Sequence, residues 1–153
     1  MKRKKIFIWI GIALLLALIP LVSVQAGRSR FLYLRWREVV PSGTGDPNMF
    51  GHAIIDVTPG QAELCYTMRV SIYPGFEWPP TAAGIHRAPF GANGPLVVDL
   101  DPAWGPLGEP DVSGCLNIGS ALTHDIQRNP TQYYLLVSDE SHPDGAARAQ
   151  LTK

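Results

Sequence analysis

Leu64-Cys65-Tyr66-Thr67-Met68-Arg69-Val70-Ser71-Ile72 alternates without a break: Leu64, Tyr66, Met68, Val70 and Ile72 fall on one side, and Cys65, Thr67, Arg69 and Ser71 on the other. A period of two over nine positions marks a half-buried β-strand, because successive side chains of an extended chain point to opposite faces. The same texture recurs in shorter pieces on either side. Residues 31–40 are rich in aromatic and β-branched types and stop at Pro41-Ser42-Gly43-Thr44-Gly45-Asp46-Pro47. Residues 52–57 follow, then the turn Thr58-Pro59-Gly60; further strand candidates are 84–86, 95–100, 133–137 and 146–151. Pro143-Asp144-Gly145 has the chemistry of a type I turn and is expected to join the last two strands as a hairpin. Only residues 121–127 have helical spacing, with Leu122 and Ile126 four apart. This short helix should end at Asn129-Pro130, since the residue before proline avoids helical angles. Many short strands separated by turns predict an all-β sandwich or barrel with one short helix.

The chain has 153 residues, one-domain length, with an ordinary apolar fraction of 46%. Its 13 basic and 13 acidic residues balance only because Lys2, Arg3, Lys4 and Lys5 crowd the N-terminus; without those four, 9 basic residues face 13 acidic ones. A mildly acidic domain with no run of Lys or Arg lacks the charge that phosphate-backbone binding requires, so nucleic acid is excluded as an expected partner.

The basic start leads into an uncharged apolar run over residues 6–22, then Ser23-Val24-Gln25-Ala26 before Gly27. This reads as an apolar signal helix with a small-residue cleavage site, Val24 at −3 and Ala26 at −1. Two outcomes stay open: cleavage after Ala26, which is preferred, or a retained signal-anchor over residues 6–24, at the short limit of a bilayer span. Residues 1–26 are thus signal peptide or signal-anchor, and 27–153 the β domain. Either way the positive charges stay inside, and the domain is expected to be secreted, periplasmic or on the cell surface. In that compartment Cys65 and Cys115, the only two thiols, are expected to form a disulfide.

Three segments resemble the CHRD domain, the repeated module of the developmental protein chordin that also occurs singly in exported bacterial proteins. The first runs from Gly45-Asp46-Pro47 through Gly51-His52-Ala53 to Leu64-Cys65-Tyr66-Thr67. The second is Thr81-Ala82-Ala83-Gly84-Ile85-His86-Arg87 with Gly91-Ala92-Asn93-Gly94-Pro95 and Leu96-Val97-Val98. The third is Asn129-Pro130-Thr131-Gln132-Tyr133-Tyr134 with Pro143-Asp144-Gly145-Ala146, Arg148 and Gln150-Leu151. The resemblance implies an immunoglobulin-like or superoxide-dismutase-like Greek-key sandwich or barrel and no established catalysis. It also places Cys115 where that family often has a second Cys, in support of pairing with Cys65.

The family's second segment commonly reads His-Ile-His, which hints at metal ligation; here the first is Gly84, and the third segment's usual His is Ser138. His86 is the residual metal candidate, with His142, His52 and His124 as distant helpers. A transition-metal site needs three or four converging donors, so the expectation is no metal, no cofactor, and His86 bonded within the sheet beside three surface histidines. No catalytic group is expected. Ser113 lacks a nucleophile elbow, His124-Asp125 are mere neighbours, and Asp99 with Asp101, like Asp139 with Glu140, read as solvated loop charges. The proline-stiffened loop carrying Tyr73, Phe76 and Trp78 is a possible partner contact, although capping one end of the fold is the plainer role for it. The expected function is that of a non-catalytic extracytoplasmic binding or structural module for an unidentified protein or envelope component. The alternatives are a divergent metal-dependent redox enzyme and a membrane-tethered envelope domain.

Overall fold

A computed structural model of the chain describes residues 27–72, 80–104 and 111–152, with the side chain of Ile72 excepted. The signal segment and the loop with Tyr73, Phe76 and Trp78 lie outside the described residues.

Eight antiparallel strands form one hydrogen-bonded sheet: β1 (Arg28–Arg35), β2 (Met49–Thr58), β3 (Glu63–Ile72), β4 (Pro80–Arg87), β5 (Leu96–Asp99), β6 (Asp111–Asn117), β7 (Tyr133–Asp139) and β8 (Ala147–Gln150). Helix α1 (Ser120–Arg128) precedes β7. The spatial order is β5-β4-β7-β8-β1-β2-β3-β6. Although β5 and β6 stand at opposite ends of that order, Val98 and Val112 enter the same hydrophobic core. The sheet therefore curls into a half-barrel. Tyr66 of β3 spans the interior and donates a 3.1 Å hydrogen bond to the carbonyl of Leu100, just beyond β5.

The opening alternation is realised in β3: Leu64, Tyr66, Met68 and Val70 are buried, while Thr67 and Arg69 are exposed. Cys65 faces Cys115 across the β3–β6 ladder and is bonded to it. β6 was not among the strand candidates, because Ser113-Gly114 looks like a turn. Glycine is needed there for a different reason: a Cβ at Gly114 would lie 2.9 Å from the Tyr66 hydroxyl oxygen. The helix runs a residue further each way than expected, starts after Gly119 at φ +80°, and ends before Asn129-Pro130. The terminal hairpin also forms: the Gly145 amide donates to the His142 carbonyl at 3.0 Å, and β7 pairs with β8.

The ladder is uneven. β1 pairs with β2 at eight positions but meets β8 only at Arg35↔Arg148. That seam divides the sheet into two four-stranded halves, β5-β4-β7-β8 and β1-β2-β3-β6.

Candidate functional site

A cavity of about 470 Å³ opens over the outward face of β4 and β7. Its floor includes His86, Tyr134 and Leu136, and its walls come from Val40 to Thr44, Asn93-Gly94 and the turn from Ser141 to Gly145. The stretch 88–92 that leads into the Asn93-Gly94 wall is held by residues of the third sequence segment. Arg148, only 1% exposed, sends its guanidinium to the carbonyls of Ala92 (2.9 Å) and Pro89 (3.2 Å) and to Oε1 of Gln150 (2.9 Å). It also lies 3.6 Å over the Tyr134 ring. Burial pulls its pKa down, yet an arginine keeps its charge at any working pH. Gln150 Nε2 in turn donates to the carbonyls of Ala88, Thr131 and Tyr133. The Tyr134 hydroxyl accepts the Gly94 amide at 3.1 Å. Arg148 and Gln150 thus carry a wall of the cavity, and sequence reading had not given them that task.

Positions 84, 86 and 138 share one face, since Ala82↔Ser138, Gly84↔Leu136 and His86↔Tyr134 are cross-strand partners. The positions where the family commonly has histidine therefore line one face, but 138 pairs with Ala82 and stands four residues along the ladder from the His86 row. In this chain that face holds Gly84, His86 and Ser138. A Cβ at Gly84 would come 2.3 Å from Leu96 Cδ1, so Leu96 fills the space a side chain at 84 would occupy. His86 Nδ1 lies 3.0 Å from the Gly94 carbonyl, which can only accept; Nδ1 therefore carries the proton and Nε2 the lone pair. The ring also stacks on Tyr134, 5.1 Å between centroids. His86→Ala is expected to cost about 1 kcal/mol by urea titration, one hydrogen bond's worth. A larger loss is not expected, because the Gly94 carbonyl keeps a weak 3.4 Å contact from the Tyr134 hydroxyl.

One expectation needs correction. Asp139 is not a solvated loop charge: it is 1% exposed at the end of β7. His142, with its side chain 27% exposed, is tied to that carboxylate. Its backbone amide donates to Asp139 Oδ1 at 2.6 Å and its Nδ1 lies 3.0 Å from the same oxygen. Burial of a charge needs a partner, and the turn at 139–142 supplies one through the backbone, which composition does not reveal. Asp99 and Asp101 are exposed, as loop charges should be.

His124 and Asp125 do not pair with each other. Asp125 accepts from the Tyr133 hydroxyl and from Asn129 Nδ2 and meets Arg87 at 3.0 Å. The hydrogen bonds from Tyr133 and Asn129 lower its pKa. Burial, with the neighbouring carboxylate, pushes Tyr133 up to about 12, so it remains a neutral donor. His52 stacks on Phe31 of the neighbouring strand. Phe31 and Tyr33, 51% and 62% exposed, lie edge to face on the outward side of β1 and were not foreseen as surface groups.

No curated protein and no solved structure matches the chain. A family model described as CHRD domain matches residues 33–151, which takes in the cavity, the disulfide and all of the Arg148 and Gln150 contacts. With most of its length matched, the chain belongs to the CHRD domain family.

Proposed function

We propose that this chain is an exported, non-catalytic binding or structural module that receives a protein or envelope component at the cavity over β4 and β7. The observation behind this reading is how the polar groups beside the cavity are used. Arg148 and Gln150 spend their hydrogen bonds on backbone carbonyls that shape a wall, and Tyr134 is stacked between His86 and Arg148. Such groups make a rigid concave surface, and rigidity lowers the entropy cost of binding. The division of the sheet at a single bridge fits an immunoglobulin-like or dismutase-like packing of two halves. The disulfide fits an oxidising compartment.

The test uses Thr44 and Ser141, two exposed residues on the cavity rim. Chain recovered from its native envelope should begin at Gly27, and it should capture a specific component that Thr44→Arg and Ser141→Arg no longer hold while their melting temperatures stay within a degree or two. Capture unaffected by both variants would remove the cavity from the reading. Full-length chain resisting carbonate extraction from membranes would replace secretion by tethering. Redox turnover by the purified chain would favour the enzyme alternative.

A further inference from the structure

We propose that Asp46, Asp139 and His142 form a binding site for one divalent cation of the zinc class, joining the loop before β2 to the turn after β7. Each of the three offers a donor atom, and these atoms all lie within 4.8 Å of one another. Donors about 2.0–2.2 Å from a tetrahedral ion stand roughly 3.5 Å apart, so the ion draws these three atoms together from a span only slightly wider than it needs.

The surroundings call for a cation. Asp46 is 6% exposed and Asp139 1%. Buried carboxylates are costly unless they are paired or bind metal, and two close together repel. Among the described residues neither makes an ion pair with Lys or Arg; the sole ionic partner is the His142 imidazole. Asp46 Oδ1 accepts from the amide and the side chain of Asn48 at 2.8 and 3.1 Å. Its other oxygen accepts no hydrogen bond from a described residue, and the carboxylate of this 6% exposed residue lies beside Asp139 and His142.

The fold delivers these groups to one place without help from the ion. The Asp46 amide donates to the Ala146 carbonyl at 2.9 Å. A Cβ at Gly45 would come within 2.5 Å of that same oxygen, so only glycine lets the loop approach this closely. Asp46 is thereby pressed against the end of the hairpin that carries Asp139 and His142.

The donor set selects the class of ion. Two carboxylate oxygens and one imidazole nitrogen suit a four-coordinate zinc with a water in the last position, and His142 lines the cavity through which that water enters. Calcium asks for six to eight oxygens, which three side chains of this composition do not supply. Nδ1 is the imidazole nitrogen beside Asp139, so it gives its lone pair to the ion while the neutral ring keeps its one proton on Nε2. His142 borders the same cavity as His86, but none of positions 84, 86 and 138 is among the three donors, and the inference does not depend on what the module binds.

The test takes the full chain, strips it with a chelator and adds zinc chloride. One zinc per chain should survive dialysis. The melting temperature should rise by roughly 5–10 °C at a hundredfold excess over Kd. X-ray absorption at the zinc edge should show oxygen donors and a single imidazole. Asp46→Asn and His142→Gln should each weaken binding at least tenfold; should Asp46→Asn fail to fold, His142→Gln decides alone. No retained zinc and no thermal shift in the unaltered chain would overturn the proposal. So would zinc held unchanged by the variants, or zinc lost on His86→Ala but kept by His142→Gln, which would put the ion on the outward face of β4.

Discussion

Replacing Arg148 with alanine is expected to lower the unfolding free energy by about 4 kcal/mol, read as a fall in the urea midpoint at constant slope. The guanidinium is buried and bonded to two backbone carbonyls and to Gln150 Oε1. Truncation leaves those acceptors without their donor, and it leaves a hole against the Tyr134 ring. Arg148→Lys should recover less than half of the loss, since one ammonium cannot reach Ala92, Pro89 and Gln150 with the geometry of a planar fork. Arg148→Met separates volume from hydrogen bonding, because it fills the space and donates nothing. A loss under 1 kcal/mol for the methionine variant would mean that packing, not the clamp on residues 89–92, holds the wall.

The second large effect concerns Cys65 and Cys115. Their bond closes a loop of sequence separation 50, which on the chain-entropy account is worth about 4 kcal/mol through restriction of the unfolded state. Cys65→Ala with Cys115→Ala should therefore drop the melting temperature by roughly 10 °C or more, with the folded pairing of β3 and β6 retained at low temperature. Calorimetry of the oxidised and reduced wild type supplies the same comparison without mutation. Coincident melting of the two forms would contradict the expected stabilisation.

The strands that could be read from sequence were those whose faces differ in polarity. β3 is plain because Leu64, Tyr66, Met68 and Val70 alternate with Thr67 and Arg69. β6 escaped because the residue opposite Tyr66 must be glycine, and a glycine forced by a neighbouring ring looks the same in sequence as one that makes a turn. The cavity was half legible. The segments around His86 and Tyr134 stood out as resemblance, but Arg148 and Gln150 act on carbonyls some 56 to 62 residues away, a relation that no local spacing encodes. Asp46 and Asp139 were missed for a related reason. Acids within turns look solvated, and only the close approach of Gly45 to Ala146 shows that this pair is buried.

The seam between β8 and β1 sets how wide the half-barrel can be. A ladder with one bridge imposes little spacing of its own. Beside the seam, Ala147 and Ala149 of β8 turn into the core and are almost fully buried. Their small side chains let the interior close down next to the one ladder with a single bridge. A larger residue at either position has to find its room inside the half-barrel, and the β8–β1 seam is the place with the fewest ladder hydrogen bonds to resist it.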